Sequence, residues 1–148
     1  MIPLVFAMQF EGHAVPVDGA PGKLRARTFA YGQTLRTTLT PDAIESAVEQ
    51  ADGASATFES EVEITGEGRF VEVGSISYGT AGALRFRTVG QGILGPSGVD
   101  GLQLGAVIWE VIHGEGQFAG ATGLITSNFT IAAEGTVVDR QFAVLFAL

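Results

Sequence analysis

The sequence predicts an all-β domain: an antiparallel closed barrel of about eight strands carrying one short helix. Three observations carry the prediction. Apolar and polar residues alternate with a period of two through most of the chain, as on strands with one buried face. The alternating runs are separated by glycine- and proline-rich turns, glycine filling 21 of 148 positions, which suits tight antiparallel connections. No strand is followed by the long helical segment that a parallel crossover needs. With no internal repeat evident, residues 1–148 are read as a single barrel domain.

Residues 2–15 make the first strand, with Leu4, Phe6, Met8 and Phe10 on one face and Val5, Ala7, Gln9, Glu11 and His13 on the other. Pro16, Asp18, Gly19 and Pro21 then supply turn chemistry, since proline fixes φ and glycine admits a positive one. Residues 23–30 alternate Leu24, Ala26 and Thr28 against Arg25, Arg27 and Phe29, the arginines toward water. A short strand at 33–39 leads into the expected helix. Thr40 is placed to cap it, Pro41 suits the first turn, Asp42 complements the dipole, and Gly53 follows the last turn. Ile44, Ala47, Val48 and Ala51 form an i, i+3, i+4, i+7 stripe with Glu45, Glu49 and Asp52 off it, so this helix is expected to cover an apolar surface.

From residue 55 the pattern is β to the end. Ala56, Phe58, Val62 and Ile64 alternate with Thr57, Glu59, Glu61 and Glu63, and the turn at 65–68 leads into a strand at 69–78. Residues 83–89 follow as another strand, placing Arg85 and Arg87 opposite Leu84 and Phe86. The glycine-rich stretch 90–105 reads as a long loop or irregular edge. Strands at 106–113 and 123–131 flank a cluster of small residues, Gly114, Gly116, Gly120, Ala121 and Gly123. The last strand, residues 141–148, is apolar on both parities and asks for cover on both faces. The expected sources are the helix or a second subunit, hence a homo-oligomer.

A net charge of −8, from 8 basic against 16 acidic residues, leaves no basic stripe for a phosphate backbone, and nucleic acid is not an expected partner. The absence of cysteine excludes disulfides and thiolate chemistry and fits a reducing, cytoplasmic setting. The apolar N-terminal run has no basic flank and is read as a strand rather than a signal or membrane span. Two histidines do not make a catalytic zinc site, so no metal is expected. Gly90, Gly92 and Gly95 match the spacing of a dinucleotide loop, but Pro96 follows where a helix N-terminus is required, and no cofactor is expected.

The segment from Ile112 to Leu124, IHGEGQFAGATGL, has a Gly-x-Gly-x-Phe corner followed by Gly-x-x-Gly. It resembles the corner of the allene oxide cyclase barrel-like and dirigent-like proteins, with their bacterial calycin-like relatives. The resemblance covers about the last forty residues and implies an eight-stranded barrel with a hydrophobic cavity. Such barrels are often oligomeric, and their plant members cyclise an unstable epoxide or steer radical coupling without a cofactor. A glutamate near the end of their first strand is matched by Glu11; their cysteine has no counterpart. Phe118 is expected to fill the barrel end.

Candidate catalytic residues are Glu11, His13, Glu110 and Tyr78. Glu11 and His13 share a face and would form an acid–base pair if that face lines the lumen, the alternative being a strand end rising into solvent. Glu110 lies on a parity with Ala106, Ile108 and Ile112 and needs a partner there, from Arg85, Arg87 or Arg140; an ion pair holding the barrel competes with catalysis. Tyr78, which shares a face with Glu72 and Ile76, offers a phenol or simply packs. Trp109, expected on one face with His113, and Asn128, Gln141 and Arg85 are candidate ligand-binding residues. The expected function is a cofactor-independent isomerase, cyclase or lyase acting on a small hydrophobic molecule. The alternative is a non-catalytic binding barrel or structural homo-oligomer, with no membrane partner in either case.

Overall fold

The computed structural model describes residues 1–148, and all of its regular structure is β. The strands are β1 (Ile2–Pro16), β2 (Lys23–Ala30), β3 (Gln33–Leu39), β4 (Ile44–Gln50), β5 (Ala56–Gly66) and β6 (Arg69–Tyr78), then β7 (Gly82–Thr88), β8 (Gly92–Pro96), β9 (Leu102–Gly116), β10 (Thr122–Ala132) and β11 (Thr136–Ala147). Eight of them close into an antiparallel barrel in the order β1, β2, β5, β6, β7, β9, β10, β11, with β11 pairing back onto β1. The short β8 lies in the expected loop and bridges β6 and β9 at one rim.

The helix expected after Thr40 is absent: residues 44–50 are β4, paired with β3 in a separate hairpin. The helical stripe was a coincidence of spacing, and the local chemistry favours a turn. Thr40 Oγ1 does accept a backbone N–H, but from Ala43 at 3.0 Å, while the Thr40 N–H donates to the Ala43 carbonyl at 2.9 Å. That closes a hairpin rather than opening a helix. Thr37 and Ser46 bond across it at 3.0 Å. The hairpin stands off the barrel as an exposed arm, tied down where Gln33 Nε2 donates to the Gln9 carbonyl at 3.1 Å and Gln33 Oε1 accepts from the Gln9 N–H at 2.7 Å. Gln33 thereby completes the β1 ladder just before β2 takes over at Glu11.

Inside, bulky and small residues alternate around the wall, as a barrel of this size requires. Phe10, Phe58, Phe86 and Trp109 fill the middle, with Phe86 and Trp109 ring centroids 4.3 Å apart. They fit because Ala14, Ala26, Ala30, Ala56 and Ala143 occupy other inward positions. At the end away from β8, Phe118 from the glycine corner packs on Tyr78 at 5.1 Å, and Tyr78 on Phe6 at 5.2 Å, plugging the barrel. The small-residue stretch is thus a corner, and Gly116 takes a φ of +64° there.

The outer surface is uneven. On β2 and β5 it carries Arg25, Arg27, Glu59, Glu61 and Glu63, with Lys23–Glu61 and Arg27–Glu59 ion pairs at 3.4 and 3.5 Å. On the far side, Val5, Ile108, Leu124, Phe142, Val144 and Phe146 are exposed on four neighbouring strands. No helix is long and apolar enough to cross a membrane, and the charged side interrupts the continuous apolar band that a lipid-facing barrel carries.

Candidate functional site

The lumen holds a cavity of about 70 Å³ that opens toward the β8 rim, where Leu24, Val62, Ile64, Leu94 and Ile131 form a collar. Its walls are mostly apolar, but Glu72 and Asp139 face into it. Period-two alternation puts Glu72 on the inner face of β6 with Phe70 and Ile76, and Asp139 on the inner face of β11 with Val137 and Gln141. Four steps around the barrel separate β6 from β11, so the two carboxyls come from opposite walls.

Each is held by its own hairpin. Ser60 on β5 donates to Glu72 Oε2 at 2.5 Å, and Ser127 on β10 donates to Asp139 Oδ1 at 2.6 Å. Gln141 Nε2 adds a second donor to Asp139 Oδ2 at 2.9 Å. The Glu72 backbone is fixed where Thr88 Oγ1 accepts its N–H at 2.7 Å and donates to its carbonyl at 3.0 Å.

Burial disfavours both charges. It pushes the Glu72 carboxyl up to about 8, opposed by the Ser60 hydroxyl, and the nearby Asp139 charge raises it further. Asp139 rises less, to about 6, because Ser127 and Gln141 both donate to its carboxylate. Burial thus favours the neutral form of both carboxyls, and of Glu72 more strongly than of Asp139. Three further polar atoms buried here have no hydrogen-bond partner: Thr28 Oγ1, Trp109 Nε1 and Gln141 Oε1. The Trp109 N–H lowers the Glu72 carboxyl through its dipole but makes no well-formed hydrogen bond to it.

Of the residues singled out from sequence, Gln141, Trp109 and Tyr78 turn inward. Gln141 and Trp109 belong to the carboxyl layer, while Tyr78 is part of the plug, where burial raises its phenol. Glu11 and His13 lie on the outer face, Glu11 accepting from Gln9 Nε2 at 3.2 Å. Glu110 also faces out and pairs with Arg87 Nε at 2.6 Å, half-exposed rather than buried. Arg85 and Asn128 are exposed. Trp109 and His113 do not share a face: the β7–β9 register shifts between Arg85 and Phe86, and the extra β9 residue turns His113 outward, 3.5 Å from Glu115.

Sequence reasoning missed Glu72, Asp139, Ser60 and Ser127. The available signal was a carboxylate twelve residues after a serine, twice, with matching turns between. Ser60, Ile64, Glu67, Gly68 and Val71 recur as Ser127, Ile131, Glu134, Gly135 and Val138. Compared with protein-family models, curated proteins and solved structures, the chain matches none.

Proposed function

We propose that the protein is a cofactor-independent isomerase, cyclase or lyase in which Asp139 removes a proton from a small, largely apolar molecule and Glu72 returns one from the opposite wall. The observation that carries this reading is the pair itself: two carboxyls across an apolar lumen, with environments that separate their protonation states. Serine and glutamine donors hold the base in place without neutralising it. Exchange with water through the β8 rim resets both groups after turnover. The closed barrel and the Ile112–Leu124 corner support a kinship with allene oxide cyclase-like barrels, whose cofactor-free chemistry is of this kind.

The test is solvent-deuterium incorporation or isomerisation in a panel of small unsaturated amines, alcohols and carbonyl compounds, followed by NMR. Rates at least about 100-fold above those of a Glu72→Gln, Asp139→Asn double variant are expected. Equal rates would refute the enzyme and leave a binding barrel. The exposed apolar side favours an added feature, a homo-oligomer in which two copies cover Phe142, Val144 and Phe146. Sedimentation should then show an assembly that Val144→Glu dissociates, and a monomer at high concentration would rule it out.

A further inference from the structure

We infer that the ligand of the lumen is a small amine bound as its ammonium ion, with an apolar body directed at the collar. This rests on the reading of the lumen as a ligand site and names the class of molecule it takes.

The charged and polar groups of the lumen are unbalanced. Two carboxyls face the cavity, yet every lysine, arginine and histidine has its side chain elsewhere: Arg25, Arg27, Arg85, Arg87 and Arg140 are exposed on the outer face, and Lys23 pairs outside with Glu61. The lining thus carries two carboxyls and no cation. Thr28 Oγ1, which lines the cavity beside both carboxyls, and Gln141 Oε1 just behind Asp139 are buried without any hydrogen-bond partner. Leaving such groups unpaired is costly, and a ligand that brings several N–H donors removes the cost. An ammonium brings three, with a positive charge to match the carboxylate. The cavity of about 70 Å³ opens at the collar, so the ammonium head fits inside and an alkyl chain runs out through the apolar opening.

Binding should depend on pH through the carboxyls. Around Asp139 the facing residues are Phe10 on β1, Ser127 and Phe129 on β10, and Gln141 on its own strand. Glu72 across the lumen is the other titratable group in that layer, and Tyr78 lies at the plug. Affinity for an amine should rise from pH 5 to pH 8 as Asp139 ionises.

Trp109 is the single tryptophan, so its fluorescence reports the lumen directly. The experiment titrates the wild-type protein with n-butylamine, n-butanol and butyrate at fixed ionic strength. The expected result is saturable binding of butylamine about tenfold or more tighter than butanol at pH 7, and about fivefold or more weaker at pH 5 than at pH 8. Asp139→Asn should lose the preference for amine while still binding butanol. Butanol binding as tightly as butylamine, or an amine affinity independent of pH, would overturn the amine and leave the ligand site standing. If none of the three perturbs Trp109, the ligand site fails as well. The pH comparison uses the unaltered chain and holds even if the variant does not fold.

Discussion

Glu72 and Asp139 stand on opposite walls of the barrel, each bonded to a serine twelve residues earlier in its own hairpin. The two hairpins are built alike but are not equivalent at the next inward position. Ser127 pairs across strands with Gln141, whereas Ser60 pairs with Gly74. A Cβ at Gly74 would meet the Phe86 ring at 2.8 Å, so no glutamine fits there. Burial raises both carboxyls, but Asp139 consequently has two well-formed donors and Glu72 one, and Glu72 also feels the Asp139 charge, so Glu72 is raised further.

Stability should fall as pH rises toward alkaline values. Glu72 moves from 4.5 unfolded to about 8 folded, and Asp139 from 3.8 to about 6. Within those windows the folded state holds more protons than the unfolded chain, so the stabilisation is full below them and is lost as each carboxyl ionises. The melting temperature at pH 5 should exceed that at pH 8 by about 5 °C or more. Glu72→Gln should remove most of the difference; a wild-type profile flat over this range would contradict the buried acid.

Replacing the carboxyls should separate chemistry from folding. Glu72→Gln keeps an acceptor for Ser60 and removes a charge that burial opposes, so it should be as stable as wild type or more so at pH 8 while losing proton transfer by about 100-fold or more. Glu72→Ala, which strands Ser60 and opens a cavity, should cost about 2 kcal/mol or more in urea denaturation.

The outward carboxylates should be quiet. Glu11→Gln and His13→Ala should each change stability by less than about 0.5 kcal/mol and leave Trp109 fluorescence untouched. A double-mutant cycle on Arg87 and Glu110, exposed on the outer face, should give a coupling of about 0.2–1 kcal/mol that shrinks with salt. A coupling several times larger would mean that the pair is desolvated.

Excising the arm should leave the barrel. The β3–β4 hairpin is tied to it mainly through Gln33 and Gln9, and replacing residues 34–50 by a short glycine-serine linker should lower the melting temperature by only about 2–4 °C. Loss of cooperative unfolding would show that the arm belongs to the core.

Two corner glycines should respond differently to valine. At Gly116 a Cβ meets the Ala81 carbonyl at 2.6 Å with φ at +64°, and rigid backbone cannot yield. At Gly120 φ is +68°, but the obstacle is the side chain of Leu148, itself exposed at the chain end. Gly116→Val should therefore destabilise by about 3 kcal/mol or more and Gly120→Val by about 1–2, measured by chemical denaturation.

Much of the barrel was legible in the residues themselves. Alternation marked nearly every strand from Leu4 to Leu145 and glycine marked the corner, because side-chain period and turn conformation are local properties, while the place of Phe118 at the barrel end came from the family resemblance. Where a second local pattern competed, at Ile44 to Ala51, spacing alone misled: an exposed hairpin has no buried face to enforce a period. The outward face of His113 depended on a bulge that only the β7–β9 pairing produces. The site lay further still from what sequence determines. Glu72 and Asp139 meet only because the sheet closes, bringing β6 and β11 to opposite walls, and burial, which sets their protonation, exists only once the lumen does.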